Sequence, residues 1–337
     1  MQLAELWFMI IAICFIAYVF FEGFDFGVGM GTKFLAIDER EKRLLISIIG
    51  PHWDGNEVWL LTAGGAMFAA FPHWYATLFS GYYMAFVLLL LALIVRGVSF
   101  EFRSKVNDNR WKATWDWSIF LGSILPPFLL GALFAGLIQG LPIDGNMEMH
   151  AAFFGDIVNL YTILTGITFV LITYILGLTF IALKTDGPIR ERAWEQAKKI
   201  YWWVGAAIIL FLALTAMETT VFADKGTILI PVFAVAVVLY ALLYVFLRKD
   251  REGYSFVLSA LVAVLITASF FIYLFPNALI ATDPTNNITI YDAASGGYSL
   301  TVMTIVAAIF VPIVLVYTAW SYWIFRRRMK TSDHLEY

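Results

Sequence analysis

The chain reads as an all-α, polytopic integral membrane protein. Three observations predict this class. Of 337 residues, 61% are hydrophobic, against roughly 45–50% in a soluble domain. Only 14% are charged, against about 25% in soluble proteins, and the mean hydropathy is +0.80. The apolar residues also gather into long runs, and a helix of about 20 such residues crosses a bilayer's hydrocarbon core.

Nine runs meet that length, at 6–30, 47–71, 75–102, 115–139, 157–183, 201–222, 228–247, 256–280 and 300–325. They predict nine transmembrane helices in one transmembrane domain over 1–337, arranged as two four-helix bundles plus one peripheral helix. No soluble domain fits between them. The first run lacks a basic leader and carries Glu5 instead, so it is expected to remain as a helix and not to be cleaved as a signal.

The connections alternate in charge. The basic ones hold Lys33, Arg40, Lys42 and Arg43; then Arg103, Lys105, Arg110 and Lys112; then Lys184, Arg190, Arg192, Lys198 and Lys199. Arg248, Lys249 and Arg251, and the tail with Arg326, Arg327, Arg328 and Lys330, complete them. Of the 22 Lys and Arg, only Arg96 and Lys225 fall elsewhere. Cytoplasmic loops carry the Lys/Arg excess. The N-terminus is therefore expected outside and the C-terminus in the cytoplasm. Trp111, Trp115, Trp117, Trp194, Trp202 and Trp203 cluster at that same level, as an interfacial aromatic belt would.

The net charge of −3 is too small to favour a polyanionic partner, and no nucleic acid is expected. The single cysteine, Cys14, excludes an intrachain disulfide and a multi-cysteine metal site. It reads as a small buried hydrophobe. Proline at 126, 127, 231, 276 and 312 falls within the runs and predicts kinks. Gly23 and Gly27, four apart, predict close helix approach. The Gly27-Val28-Gly29-Met30-Gly31 stretch follows a membrane helix and not a strand, which argues against a nucleotide loop.

Charged residues inside a span cost roughly 2.5–3.5 kcal/mol each on insertion scales and are functional suspects. Glu22 and Asp25 sit at i and i+3 near the inner end of the first run. Asp54 and Glu57 sit at i and i+3 near the inner start of the second. The third brings Arg96 and Glu101 to the same depth. Short connections make these helices neighbours. One arginine does not neutralise four carboxylates, so at least one is expected to carry a proton near neutral pH. A neutral carboxyl open to the cytoplasm suits proton uptake. The competing reading is structural: Asp25 or Asp54 pairs with Arg96 and locks three helices together, with Arg96 and Glu101 as a candidate structural ion pair.

Histidine is sparse. His73 and His150 fall in external loops, His334 in the tail, and His52 at the mouth of the second run, where it reads as a polar cap. Haem iron needs axial ligands inside the bundle. By itself the chain is expected to bind no haem and no metal. Met67, Met84, Met217 and Met303 are scattered and read as packing, and Glu218 as reaching the headgroups.

Several stretches together resemble subunit II of the cytochrome bd-type quinol oxidases. Glu22-Gly23-Phe24-Asp25-Phe26-Gly27-Val28-Gly29-Met30 is similar to that family's first-helix motif. Gly50-Pro51-His52-Trp53-Asp54-Gly55-Asn56-Glu57-Val58-Trp59, with Thr62-Ala63-Gly64-Gly65-Ala66, is similar to its second. Ser80-Gly81-Tyr82-Tyr83, the run from Arg96 to Arg103, Trp115-Asp116-Trp117, Pro126-Pro127, Tyr291-Asp292-Ala293-Ala294-Ser295, Val311-Pro312 and Tyr317-Thr318-Ala319-Trp320 extend the likeness. Two positions depart: 22 is Glu where some members have Asp, and 57 is Glu where some have Gln. The loop near Lys225 is also very short.

The resemblance implies a nine-helix, haem-free subunit in a bacterial cell membrane. Its partner, subunit I, would hold two b-type haems and one d-type haem, oxidise quinol on the outer side and reduce oxygen to water. A small single-helix accessory subunit, membrane lipid and quinone are further implied partners. It also implies a proton pathway through Asp25, Asp54, Glu57 and Glu22, a role for Arg96 in the same polar cluster, and oxygen access from lipid near Trp59. No catalytic residue is implied in this chain. The alternative from another class is a proton-coupled secondary transporter using the same carboxylates; a third is a structural membrane scaffold.

Overall fold

The computed structural model describes residues 2–152, 155–333 and 335; His334 lies outside them. The described chain forms α1 (Leu3–Phe34), α2 (Glu39–Ile49), α3 (Trp53–Ala70), α4 (Pro72–Gly81), α5 (Tyr83–Phe102) and α6 (Asn109–Gln139). There follow α7 (Leu160–Lys184), α8 (Pro188–Glu218), α9 (Val221–Arg248), α10 (Glu252–Leu274), the short strands β1 (Asn277–Leu279) and β2 (Ile288–Thr289), and α11 (Gly297–Ile324). Eight of these helices are long and apolar enough to cross a membrane. α3 is not among the eight, because Asp54, Asn56 and Glu57 occupy its first turns. With 18 residues it is nonetheless about 27 Å long at 1.5 Å per residue.

Two of the expected runs are broken. Residues 47–71 divide at Gly50-Pro51-His52, between α2 and α3. A proline has no N–H to donate and its ring clashes with the preceding turn. Residues 75–102 divide at Tyr82. The prolines act less than expected elsewhere: α6, α9 and α11 run through Pro126-Pro127, Pro231 and Pro312, and Pro276 lies beyond the end of α10. The interruption within α9 falls instead at Lys225, where φ is −133° and ψ 25°.

α1 and α7 form the centre with α6 and α10, which pack on both. α3 lies against α1 and α5 against α6; on the other side α8 packs on α7 and α9 on α10. α11 is peripheral, touching α1 and α3 and burying only Leu300. The central crossing depends on glycine. A Cβ on Gly27 would stand 2.3 Å from the Thr173 carbonyl oxygen and 2.5 Å from the Gly177 Cα. The two backbones touch, as small residues allow between membrane helices, and the close approach read from Gly23 and Gly27 is made at Gly27.

The two ends of the bundle differ. At one, β1 and β2 pair antiparallel, Leu141 bridges to Ala281, and Ser295 N–H donates to the Ala70 carbonyl at 2.8 Å. At the other, basic, end lies α2, started by Asp38, whose side chain accepts from Glu41 N–H. Such a cap satisfies a donor that the first turn leaves free. Thr185 bridges to Met329 there, drawing the tail along the end of α7. Trp117, Trp202 and Trp203 are exposed at this end, but Trp194 is buried and its indole donates to Asp250.

Gly27→Leu should force α1 and α7 apart and cost at least the ~1–3 kcal/mol of an overpacked core. A Cβ at Gly253 meets nothing within 4 Å, so Gly253→Ala should be near neutral. Thermal unfolding of the two variants checks the difference.

Candidate functional site: a buried carboxylate cluster

Three helices deliver the cluster. α1 supplies Glu22 and Asp25, both with 0% exposure. α5 supplies Arg96, also 0% exposed. Its depth is set by α6: a Cβ on Gly122 would lie 2.7 Å from the Arg96 Cβ, so the bare glycine lets α5 press against α6. Arg96 Nη1 donates to Glu22 Oε1 and, at 3.2 Å, to Glu57 Oε1 of α3. The guanidinium lies 4.8 Å from the Phe26 ring centre and 5.2 Å from that of Phe100. Those ring faces attract the cation without accepting a proton.

Asp25 is held differently. Asn56 Nδ2 donates to Asp25 Oδ2 at 2.7 Å, and Tyr322 OH donates to Asn56 Oδ1 at 2.8 Å. His52 stacks flat on Tyr322, with ring centres 4.1 Å apart. It precedes α3 but makes no side-chain cap hydrogen bond, so stacking replaces the capping role expected of it. Trp59, half-buried, stacks on Phe21 at 5.8 Å.

The four carboxylates thus do not share one surface. Asn56, Ala63, Met67 and Ala70 form the buried stripe of α3. Asp54 lies two residues before Asn56, about 200° around the helix at 3.6 residues per turn. It is exposed, on the same outer side as Val58, Leu61 and Phe68. Glu57 lies on the flank and turns inward to Arg96. Glu101 is exposed and forms no ion pair among the described residues; the partners of Arg96 are Glu22 and Glu57, not Glu101. Glu101 lies five residues beyond Arg96, about 500° around α5, and so points away from it.

A second cluster stands at the basic end. Arg103, 2% exposed, pairs with Asp116 at 2.6 Å and with both oxygens of Glu39 at 2.7 and 2.8 Å. Lys42 adds a 2.7 Å bond to Asp116. Sequence reasoning did not single out Arg103, Asp116, Asn56 or Tyr322. The signal for Arg103 was its spacing of seven from Arg96, which repeats one helix face. Asn56 sat inside the motif as the residue between two acids. Tyr322 had none, being 266 residues from its partner.

The three described histidines do not fit a haem. His52 is taken up by stacking. His73, expected in a loop, is instead exposed in the first turn of α4, and His150 is exposed in a loop, 3.2 Å from Asp144. No pair of these rings faces a bundle interior as axial ligands must.

A polytopic helical membrane protein with buried acids around one arginine is the class that this fold and site define. The family described as cytochrome bd terminal oxidase subunit II matches residues 3–325. Cytochrome bd ubiquinol oxidase subunit 2 of Bacillus subtilis (strain 168) is 46% identical over 337 residues, covering 100% of this chain and 99% of that protein. Cytochrome bd-I ubiquinol oxidase subunit 2 of Escherichia coli (strain K12) is 35% identical, covering 97% and 95%. A solved chain of the bd oxidase from Geobacillus thermodenitrificans shares the fold, with TM-score 0.77, 14% identity and coverage of 96% and 97%. The chain belongs to the cytochrome bd terminal oxidase subunit II family. It is a multi-pass membrane component of a quinol oxidase complex in respiratory electron transport, with a haem-bearing subunit I as partner. The transporter reading gives way to this membership.

Removing one member of a buried ion pair costs about 3–5 kcal/mol. Arg96→Leu should therefore destabilise the subunit strongly, and adding Glu22→Gln should recover part of the loss; thermal unfolding of both variants checks this. Partial burial works against ionisation of Glu39, but the bonds and charge of Arg103, with Lys112, outweigh it and hold the carboxyl below its ordinary value of 4.5. Its stabilising contribution is then present above that value and lost as pH falls through the lower, folded-state value. A pH titration of thermal stability should show an acid-side decline that is smaller in Glu39→Gln.

Proposed function

We propose that this subunit scaffolds the haem-bearing subunit I and carries a proton-uptake path from the cytoplasm toward the site of oxygen reduction. The meeting of Glu22 and Glu57 on Arg96, with buried Asp25 one turn along α1 from Glu22, carries this reading. One guanidinium balances one carboxylate. In a water-poor interior the remaining acids need protons, partners or water. Tyr18 OH, Glu22 Oε2, Asp25 Oδ1 and two nitrogens of Arg96 are buried with no protein partner among the described residues. Buried polar atoms of this kind are as a rule satisfied by ordered water, and water beside protonatable acids is what a proton relay uses.

The Lys/Arg-rich loops support an orientation with the N-terminus outside and the C-terminus in the cytoplasm of a bacterial cell. Asp54 then lies at the cytoplasmic mouth, on the exposed side of α3, and collects protons. Glu57 and Glu22, around Arg96, and Asp25, fixed by Asn56 and Tyr322, hold them further in. The exposed apolar residues of α3 and α5, such as Val58, Leu61, Phe68, Leu91 and Ile94, offer subunit I a docking face beside Asp54. Trp59 borders the same helix and suits a route for apolar oxygen from lipid. In subunit I, two b-type haems and one d-type haem would supply electron transfer and oxygen reduction. A small single-helix accessory subunit would complete the complex. Protons taken from inside, with quinol protons released outside, generate proton motive force.

Asp54→Asn in the intact complex should lower oxygen consumption while the haem spectrum and subunit assembly persist. Asp25→Asn should do the same. Oxygen consumption unchanged in both variants would refute the path. The purified chain should bring with it a larger, red-absorbing haem protein; a colourless preparation would count against the scaffold role.

A further inference from the structure

One large feature borders the carboxylate cluster and meets it at His52 and Tyr322. Between α1, α7, α10 and α11 lies a cavity of about 720 Å³. Phe20, Phe24, Phe180, Phe256 and Leu315 make its walls. Its mouth is basic, formed by Lys184 at the end of α7 and by Arg326 and Arg328 just beyond α11.

Lys184 is the anomaly. It is only 8% exposed, yet no carboxylate of the described residues pairs with it. Its ammonium donates to the Phe325 carbonyl alone. Burying a charge is costly unless it is paired. The carboxylate that meets Arg328 is already shared: Glu252 binds both Arg190 and Arg328. Among the described residues Arg326 donates only to the Trp323 carbonyl, and it lies over that residue's own ring, 4.4 Å from its centre. The mouth therefore holds excess positive charge above an apolar chamber. An amphiphile with an anionic headgroup meets both demands, and basic pockets between membrane helices bind such headgroups.

We propose that this cavity binds one anionic phospholipid, its phosphate at Lys184, Arg326 and Arg328 and an acyl chain among the phenylalanines. The lipid would also fill the gap under α11, which touches the rest of the chain so sparingly.

The test uses the whole oxidase complex, washed in detergent containing equal amounts of phosphatidylglycerol and phosphatidylethanolamine, with retained lipid measured by mass spectrometry. The wild-type complex should retain phosphatidylglycerol preferentially. Lys184→Gln should lower that retention several-fold, and Lys184→Arg should restore it. Ala319→Phe fills the cavity while keeping every cation, and it should also release the lipid. Equal retention in wild type, Lys184→Gln and Ala319→Phe would overturn the proposal. So would retention without preference for charge, or the finding of an uncharged molecule such as a quinone in the cavity. Should Lys184→Gln fail to assemble, the wild-type charge preference and the Ala319→Phe result decide.

Discussion

A single arginine in the apolar interior sets the terms for much of this subunit. Arg96 ties α5 to α1 through Glu22 and to α3 through Glu57. Burying charges rarely gains stability over a well-packed apolar core; desolvation takes back what Coulomb attraction gives. Stability alone is therefore a weak reason for this arrangement. What it does provide is a group of acids whose charge state depends on protons and water. Its geometry is fixed by close packing: Gly122 admits Arg96, and the Gly27–Gly177 contact holds α1 in place against α7.

The Arg103 cluster makes a useful contrast. There Arg103 and Lys42 face Asp116 and Glu39 in near balance, with a bidentate fork on Glu39. Such a fork adds geometric specificity as well as energy. It anchors the basic ends of α2, α5 and α6. The two arginines stand seven residues apart, Arg96 within α5 and Arg103 capping its end, and differ in role because their surroundings differ. One has more acid than base and sits deep; the other is matched and lies near the helix ends.

The exposed surface belongs to the same logic. α11 buries only Leu300, and α3 presents Leu61 and Phe68 to its surroundings. In water such faces would be liabilities. In a membrane, facing lipid, they are ordinary. Membership in a family of oxidase subunits accounts for a chain whose helices pack tightly at the centre and sparsely at one edge.

Composition, run length and the distribution of Lys and Arg determined the membrane class, the helical architecture and the basic end, because each depends on local hydropathy alone. The acids at 22, 25 and 57 were legible too, since charge in an apolar run is conspicuous wherever the chain later folds. Only the tertiary structure decided how they are used. The helical period turned Asp54 outward once Asn56 faced α1, and the spacing of i and i+3 does not say which side is buried. The bond from Tyr322 to Asn56 joins residues 266 positions apart, and no local pattern marks it. Proline and glycine broke the second run into two helices because backbone sterics there outweigh hydropathy. Which charges meet, and which remain open, depends on packing between distant segments, and that information is written in no single stretch of the chain.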